Sequence, residues 1–72
     1  MKEDVLHQLG KRVKSLREAH AMTQEELGVR SGISLKYIQR VEGKNPSNIG
    51  IEYLEKLSKG FGLTLWEFLK FK

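Results

Sequence analysis

The sequence predicts an all-α fold of five short helices. Apolar residues return at three- and four-residue steps, serine and threonine caps and glycine stops punctuate them, and no segment shows the strict alternation of a half-buried strand. The 72 residues make one small domain over 1–72, with no second domain, linker or internal repeat. A chain of this size buries only about 60% of its unfolded surface. Without a cysteine it has no disulfide framework, so packing, within the chain or against a partner, must hold it together.

The first helix spans about Asp4 to His20, where Leu6, Leu9, Val13 and Leu16 form one apolar stripe between lysines and arginines. Thr23-Gln24-Glu25-Glu26 is a capping box: the Thr23 hydroxyl can accept from the Glu26 N–H while the Glu26 carboxylate reaches back to the Thr23 N–H. The second helix starts there and stops near Ser31, because Gly32 supplies the positive φ of a C-cap. Ser34 caps a very short third helix from about Leu35 to Val41. Lys44-Asn45-Pro46-Ser47-Asn48 is an exposed loop, and Ile51, Leu54, Leu57 and Phe61 mark a fourth helix ended by Gly60 and Gly62. A second capping box, Thr64-Leu65-Trp66-Glu67, opens a last short helix carrying Leu65, Trp66, Phe68 and Leu69.

Thirteen Lys+Arg against nine Asp+Glu give a net charge of +4, which favours a polyanionic partner but also describes an ordinary solvated basic surface. Lys11, Arg12, Lys14 and Arg17 crowd one stretch of the first helix. No apolar run approaches a membrane span, and the Met1-Lys2-Glu3-Asp4 start is not a secretory signal, so a cytoplasmic site and no membrane partner are expected. Asp4, His7 and Ser15 have the residue types of a hydrolytic triad, yet a helix spreads them over three turns. His7 and His20 are too far apart for a two-histidine metal face. With no glycine-rich phosphate loop and no acidic cluster, neither catalysis, nor a metal, nor a cofactor is expected.

Residues 23–43 have the arithmetic of a helix-turn-helix: a capped helix, a three- to four-residue turn containing Gly32, and a short capped helix. Leu27, Ile33, Ile38 and Val41 fall where two steeply crossed helices share a core, and Gly28 is the small residue that allows their approach. A plain helical hairpin is the duller alternative. The segments Leu9-Gly10-Lys11-Arg12-Val13, Leu16-Arg17, Met22-Thr23-Gln24-Glu25-Glu26-Leu27 and Ser31-Gly32-Ile33-Ser34 follow in order. Tyr37-Ile38, Arg40-Val41-Glu42-Gly43-Lys44, Leu54-Glu55-Lys56-Leu57 and Leu63-Thr64-Leu65 continue them. In that order they resemble the Cro/repressor-like (XRE-type) helix-turn-helix family of bacterial, archaeal and phage regulators. Asn48-Ile49-Gly50-Ile51 is similar to the controllers of restriction-modification operons within it.

The resemblance implies a compact five-helix, lambda-repressor-like DNA-binding domain whose third helix enters the major groove of double-stranded DNA, as a homodimer on a near-palindromic site. Ile38 and Val41 claim the inward face of that helix, which turns Ser34, Leu35, Lys36, Gln39 and Arg40 outward as candidate base contacts. Gln24, at a helix N-terminus, suits a phosphate oxygen. Tyr37 is similar to a family tyrosine that touches the DNA backbone, although it could instead lie over the second helix as core. Lys44, Asn45 and Asn48 are further candidate phosphate contacts. Family members often pair the residues equivalent to Arg17 and Glu42, which makes a structural ion pair the favoured role there.

The chain departs from the family pattern at Ala21, where glycine is usual, at Leu35, often polar, in a loop one residue longer between Glu42 and Ile51, and at Gly60, commonly alanine. Phe61, Leu63, Leu65, Trp66 and Leu69 would form an unusual apolar patch in water and are candidates for a homodimer interface, with Phe61, Trp66, Phe68 and Phe71 serving core and interface rather than base stacking. The expected function is a stand-alone regulator of transcription, with no room for a separate small-molecule-sensing domain. The rival is an antitoxin-like protein-binding module with secondary DNA binding, which would need a toxin-binding tail where only Lys70-Phe71-Lys72 follows the last helix.

Overall fold

Short side chains set the helix boundaries. The computed structural model describes residues 4–71; residues 1–3 and 72, including the Met1-Lys2-Glu3 start read above for a secretory signal, lie outside the described residues. The Asp4 carboxylate accepts from the His7 backbone N–H at 3.0 Å and opens α1, Val5–Ala19. The box at Thr23 is complete: Glu26 N–H donates to Thr23 Oγ1 at 3.0 Å and Thr23 N–H to Glu26 Oε1 at 2.8 Å, which starts α2, Gln24–Ser31. Gly32, at φ 73°, ends it in the left-handed region. Ser34 Oγ accepts from Tyr37 N–H at 3.2 Å and begins α3, Leu35–Glu42. Helix α4, Ile51–Gly60, has no side-chain cap at Gly50, whereas α5, Leu65–Phe68, carries the second complete box at Thr64 and Glu67.

One boundary differs from the sequence reading. Gly60 does not stop α4 but is its last residue, buried where a Cβ would stand 3.0 Å from that of Ser31 on α2. Gly62 alone supplies the left-handed turn, at φ 72°. The small residue at position 60 therefore serves the α2–α4 contact rather than the helix end.

Helix α1 packs on α3, α2 on α3 and α4, and α4 on α5, within 34 × 24 × 23 Å. Leu9, Val13, Met22, Leu27, Ile33, Ile38, Val41, Leu57, Phe61 and Phe68 meet at the centre. Arg12 reaches from α1 to the carbonyls of Glu67 and Phe68, at 2.9 and 3.0 Å, so it satisfies the open C-terminal end of α5, which at four residues could not persist alone. Gly28 lies where a Cβ would stand 2.7 Å from the Ile33 carbonyl oxygen, which brings the turn close against α2.

The turn after α1 carries strain. Met22 N–H reaches back to the Arg17 carbonyl at 2.8 Å and Ala21 N–H to Glu18 at 3.0 Å, an arrangement that requires φ 54° at Ala21. An L side chain there costs about 1–2 kcal/mol, part of which glycine returns as extra entropy of the unfolded chain. Ala21→Gly is therefore expected to stabilise the domain by about 0.5–1 kcal/mol, read as a higher urea midpoint at constant m.

The caps also contribute to the pH dependence of stability. Hydrogen bonds from the His7 backbone and ring hold Asp4 below its ordinary pKa, and those from Thr64 do the same for Glu67. A carboxylate with a depressed folded-state pKa contributes stability that is present above the unfolded value and lost as pH falls through the folded one. Glu67→Gln, which keeps an acceptor for the box but removes the titration, should flatten the acid limb of an unfolding curve below about pH 4 relative to the unmodified chain.

Candidate nucleic-acid interface

At 3.6 residues per turn, Ile38 and Val41 occupy one side of α3, and both are buried. Lys36, Gln39 and Arg40 fall on the opposite side and are exposed. Leu35 and Tyr37 take the two flanks: Leu35 is 37% exposed beside Gly28, Val29 and Ile33, whereas Tyr37 is half-buried toward α4. Ser34 is exposed at the N-cap, its hydroxyl oxygen already accepting from Tyr37 N–H.

Two features lock α3 onto α1. Gly10 faces Val41 so closely that a Cβ there would collide with the Val41 carbonyl oxygen. Two turns further along α1, Arg17 forms a bidentate pair with Glu42, Nε to Oε2 and Nη2 to Oε1 both at 2.9 Å, while its Nη1 donates to the Met22 carbonyl at 3.0 Å. The side chains retain only 13% and 5% of their accessibility, and the hydrogen bond to Glu42 is the main reason the guanidinium pKa is raised. Gln24 adds a third donor, its Nε2 lying 3.2 Å from Glu42 Oε1. The Gln24 amide is thus tied to the α1–α3 joint while still lining a groove with Lys14, Thr23 and Gln39.

The basic crowd on α1 divides accordingly. Arg12 and Arg17 reach α5 and α3, and Lys11 and Lys14 line the groove that runs past Glu42, Gly43 and Lys44. Periodicity in α1 could not separate these roles, because the partners lie 25 and more residues away.

Lys44, Asn45 and Asn48 are exposed in the α3–α4 loop. The start of that loop is tethered by His7, whose Nδ1 lies 2.9 Å from Asp4 Oδ1 and whose Nε2 lies 2.7 Å from the Lys44 carbonyl oxygen. Ser15 is exposed farther along α1, so Asp4, His7 and Ser15 form no nucleophile–base arrangement. Among the described residues there is no group of three or more metal-ligating side chains, and no helix is long and apolar enough to cross a membrane.

A contact absent from the sequence reading lies on the α4 side. The Tyr37 ring stacks on Tyr53, with centroids 4.3 Å apart and planes 14° from parallel, and Lys56 Nζ lies 5.2 Å from the Tyr53 centroid. Burial, then the neighbouring Tyr53, pushes the Tyr37 phenol pKa up, against the opposing charge of Arg40. The Tyr37 ring is thus partly buried, packed against the core and stacked on α4. No periodic or motif signal in the sequence pairs Tyr37 with Tyr53, which lies in the first turn of α4.

Of the apolar residues assigned to self-association, Phe61 belongs to the core. It is 5% exposed and packs against Phe68 and His20, with centroids 6.1 and 5.7 Å away, so little of it remains for a partner. Leu63 and Leu65 are half-buried, Leu69 is 37% exposed and Trp66 is 74% exposed.

A capped helix, a left-handed glycine turn and a second helix with one face buried and a cationic face open define a helix-turn-helix domain. The helix-turn-helix family model matches residues 13–68, and the chain belongs to that family, in its Cro/repressor-like form. Solved structures agree. The wild-type restriction-modification controller protein C.Esp1396I aligns at TM-score 0.80 and 30% identity, covering 94% of this chain and 90% of that one. The controller C.AhdI from Aeromonas hydrophila aligns at 0.80 and 28%, covering 88% and 94%. C.Esp1396I bound to a 19 base pair DNA duplex aligns at 0.81 and 30%, covering 93% and 92%. No curated protein sequence matches the chain.

Proposed function

We propose that this chain is a sequence-specific regulator of transcription of the restriction-modification controller type, binding double-stranded DNA as a two-fold dimer on a near-palindromic operator in the cytoplasm. The observation that carries the reading is the open face of α3, where Lys36, Gln39 and Arg40 project opposite the buried Ile38 and Val41. Lysine and arginine donate to the acceptors of guanine, glutamine suits adenine, Ser34 adds a hydroxyl, and Leu35 meets a thymine methyl. Gln24, Tyr37, Lys44, Asn45 and Asn48 surround that face and grip phosphate, which orients the helix without reading sequence. The joint of Gly10, Arg17 and Glu42 sets the angle at which α3 is presented.

Leu63, Leu65, Trp66 and Leu69 form the dimer surface, since the 74% exposure of Trp66 leaves a large aromatic ring in water in the single chain. Trp66→Ala should weaken self-association and DNA binding together, measured by sedimentation and by titration.

The function is tested on an operator selected from a random duplex pool, against a scrambled duplex at fixed salt. Arg40→Ala should cost about 1–3 kcal/mol on the operator and much less on the scrambled duplex. Tyr37→Phe, which keeps the stack and removes only the hydroxyl, should weaken both alike. Equal losses on both duplexes for Arg40→Ala would overturn the reading and favour the protein-binding alternative.

A further inference from the structure

We propose that the phosphate-contacting edge of the recognition helix continues onto α4, where Lys56 is a phosphate-binding cation aimed by the Tyr53 ring, and that Tyr53 is the positioning residue for Tyr37. The proposal rests on the DNA-binding reading above and adds two residues to it.

A helix with its side chains is about 10–12 Å across and fills a major groove about 12 Å wide, so residues beyond its flank meet the phosphate backbone rather than base edges. On the α4 flank the order of side chains is Arg40, then Tyr37, then Tyr53, then Lys56. Arg40 lies one turn along α3 from Tyr37, the two tyrosine rings are stacked at 4.3 Å, and the ammonium stands 5.2 Å over the far ring. The stack is nearly parallel at 14°, which leaves Tyr37 little freedom to rotate about its long axis.

The carboxylates near Lys56 on its own helix are Glu52 and Glu55. Glu52 precedes Lys56 by four residues, the order that favours an ion pair. Lys56 is nevertheless drawn over the Tyr53 ring. A ring orients an ammonium without neutralising it, so its N–H groups stay available to an anion. An exposed cation held by an aromatic edge that continues the recognition helix has the chemistry of a duplex phosphate contact.

The test is a set of titrations of the full chain with the selected operator and with scrambled duplex, across a series of salt concentrations. Lys56→Gln should weaken both duplexes alike, by about five- to tenfold near 0.1 M salt, and lower the slope of log K against log salt by about 1. Lys56→Arg should restore the slope. Tyr53→Ala should weaken both duplexes and lower the slope in part, whereas Tyr53→Phe, which keeps the stack and the ring under Lys56, should bind as the unmodified chain does. An unchanged slope in Lys56→Gln overturns the proposal. If Arg40→Ala still loses operator preference in that case, the DNA-binding reading stands without it; if it does not, both fall.

Discussion

Glu42→Ala is expected to destabilise the domain by about 3–5 kcal/mol, the cost of leaving a partly buried guanidinium without its carboxylate. Arg17 has 13% side-chain accessibility, and two of its hydrogen bonds, at 2.9 Å each, end on Glu42. Gln24 loses its acceptor at the same time. Small domains have few kcal/mol to lose, so a large fraction of Glu42→Ala should be unfolded at room temperature, seen as reduced helical circular dichroism. Replacing both partners by apolar residues, Arg17→Met with Glu42→Leu, should recover most of the loss, because no charge is then left buried. A loss below about 1 kcal/mol in Glu42→Ala would show that the pair behaves as a surface ion pair.

Gly10→Ala should have the opposite sign to the one helix propensity predicts. In an exposed helix interior, alanine stabilises by about 1 kcal/mol relative to glycine. Here the added Cβ runs into the Val41 carbonyl oxygen, a backbone atom that cannot rotate aside, so α1 and α3 must separate. The expected result is a net loss of about 2–3 kcal/mol in chemical denaturation, the upper range for overpacking. Because the same contact seats the recognition helix, the folded fraction should also bind DNA more weakly. An increase in stability would mean that α1 and α3 yield freely at this point.

Much of the chain is locally specified. Caps at Thr23, Ser34 and Thr64 lie within three residues of the N–H groups that they satisfy, and the left-handed turns at Gly32 and Gly62 need no distant partner. Such interactions are legible because the chemistry and its target are neighbours in the chain. The same holds for α3, where eight residues around Ile38 and Val41 suffice to separate an inward from an outward face.

Side chains with several equivalent uses were decided by folding. Four cations crowd α1, and only the arrival of α5 and α3 assigns Arg12 to the Phe68 carbonyl and Arg17 to Glu42. Phe61 and Trp66 are equally apolar in sequence, yet α4 turns one into the core at 5% exposure and α5 leaves the other at 74%. Gly60 has a helix-ending residue type, but its backbone is helical and its missing side chain leaves room for Ser31 of α2. Tyr37 meets Tyr53 sixteen positions away, a pairing made only once α3 and α4 have both packed on α2. Hydrogen bonds within a turn depend on local backbone geometry, which a few residues determine. Burial, ion pairing and ring stacking depend on which surface arrives from elsewhere in the chain, and that is settled only when the helices pack.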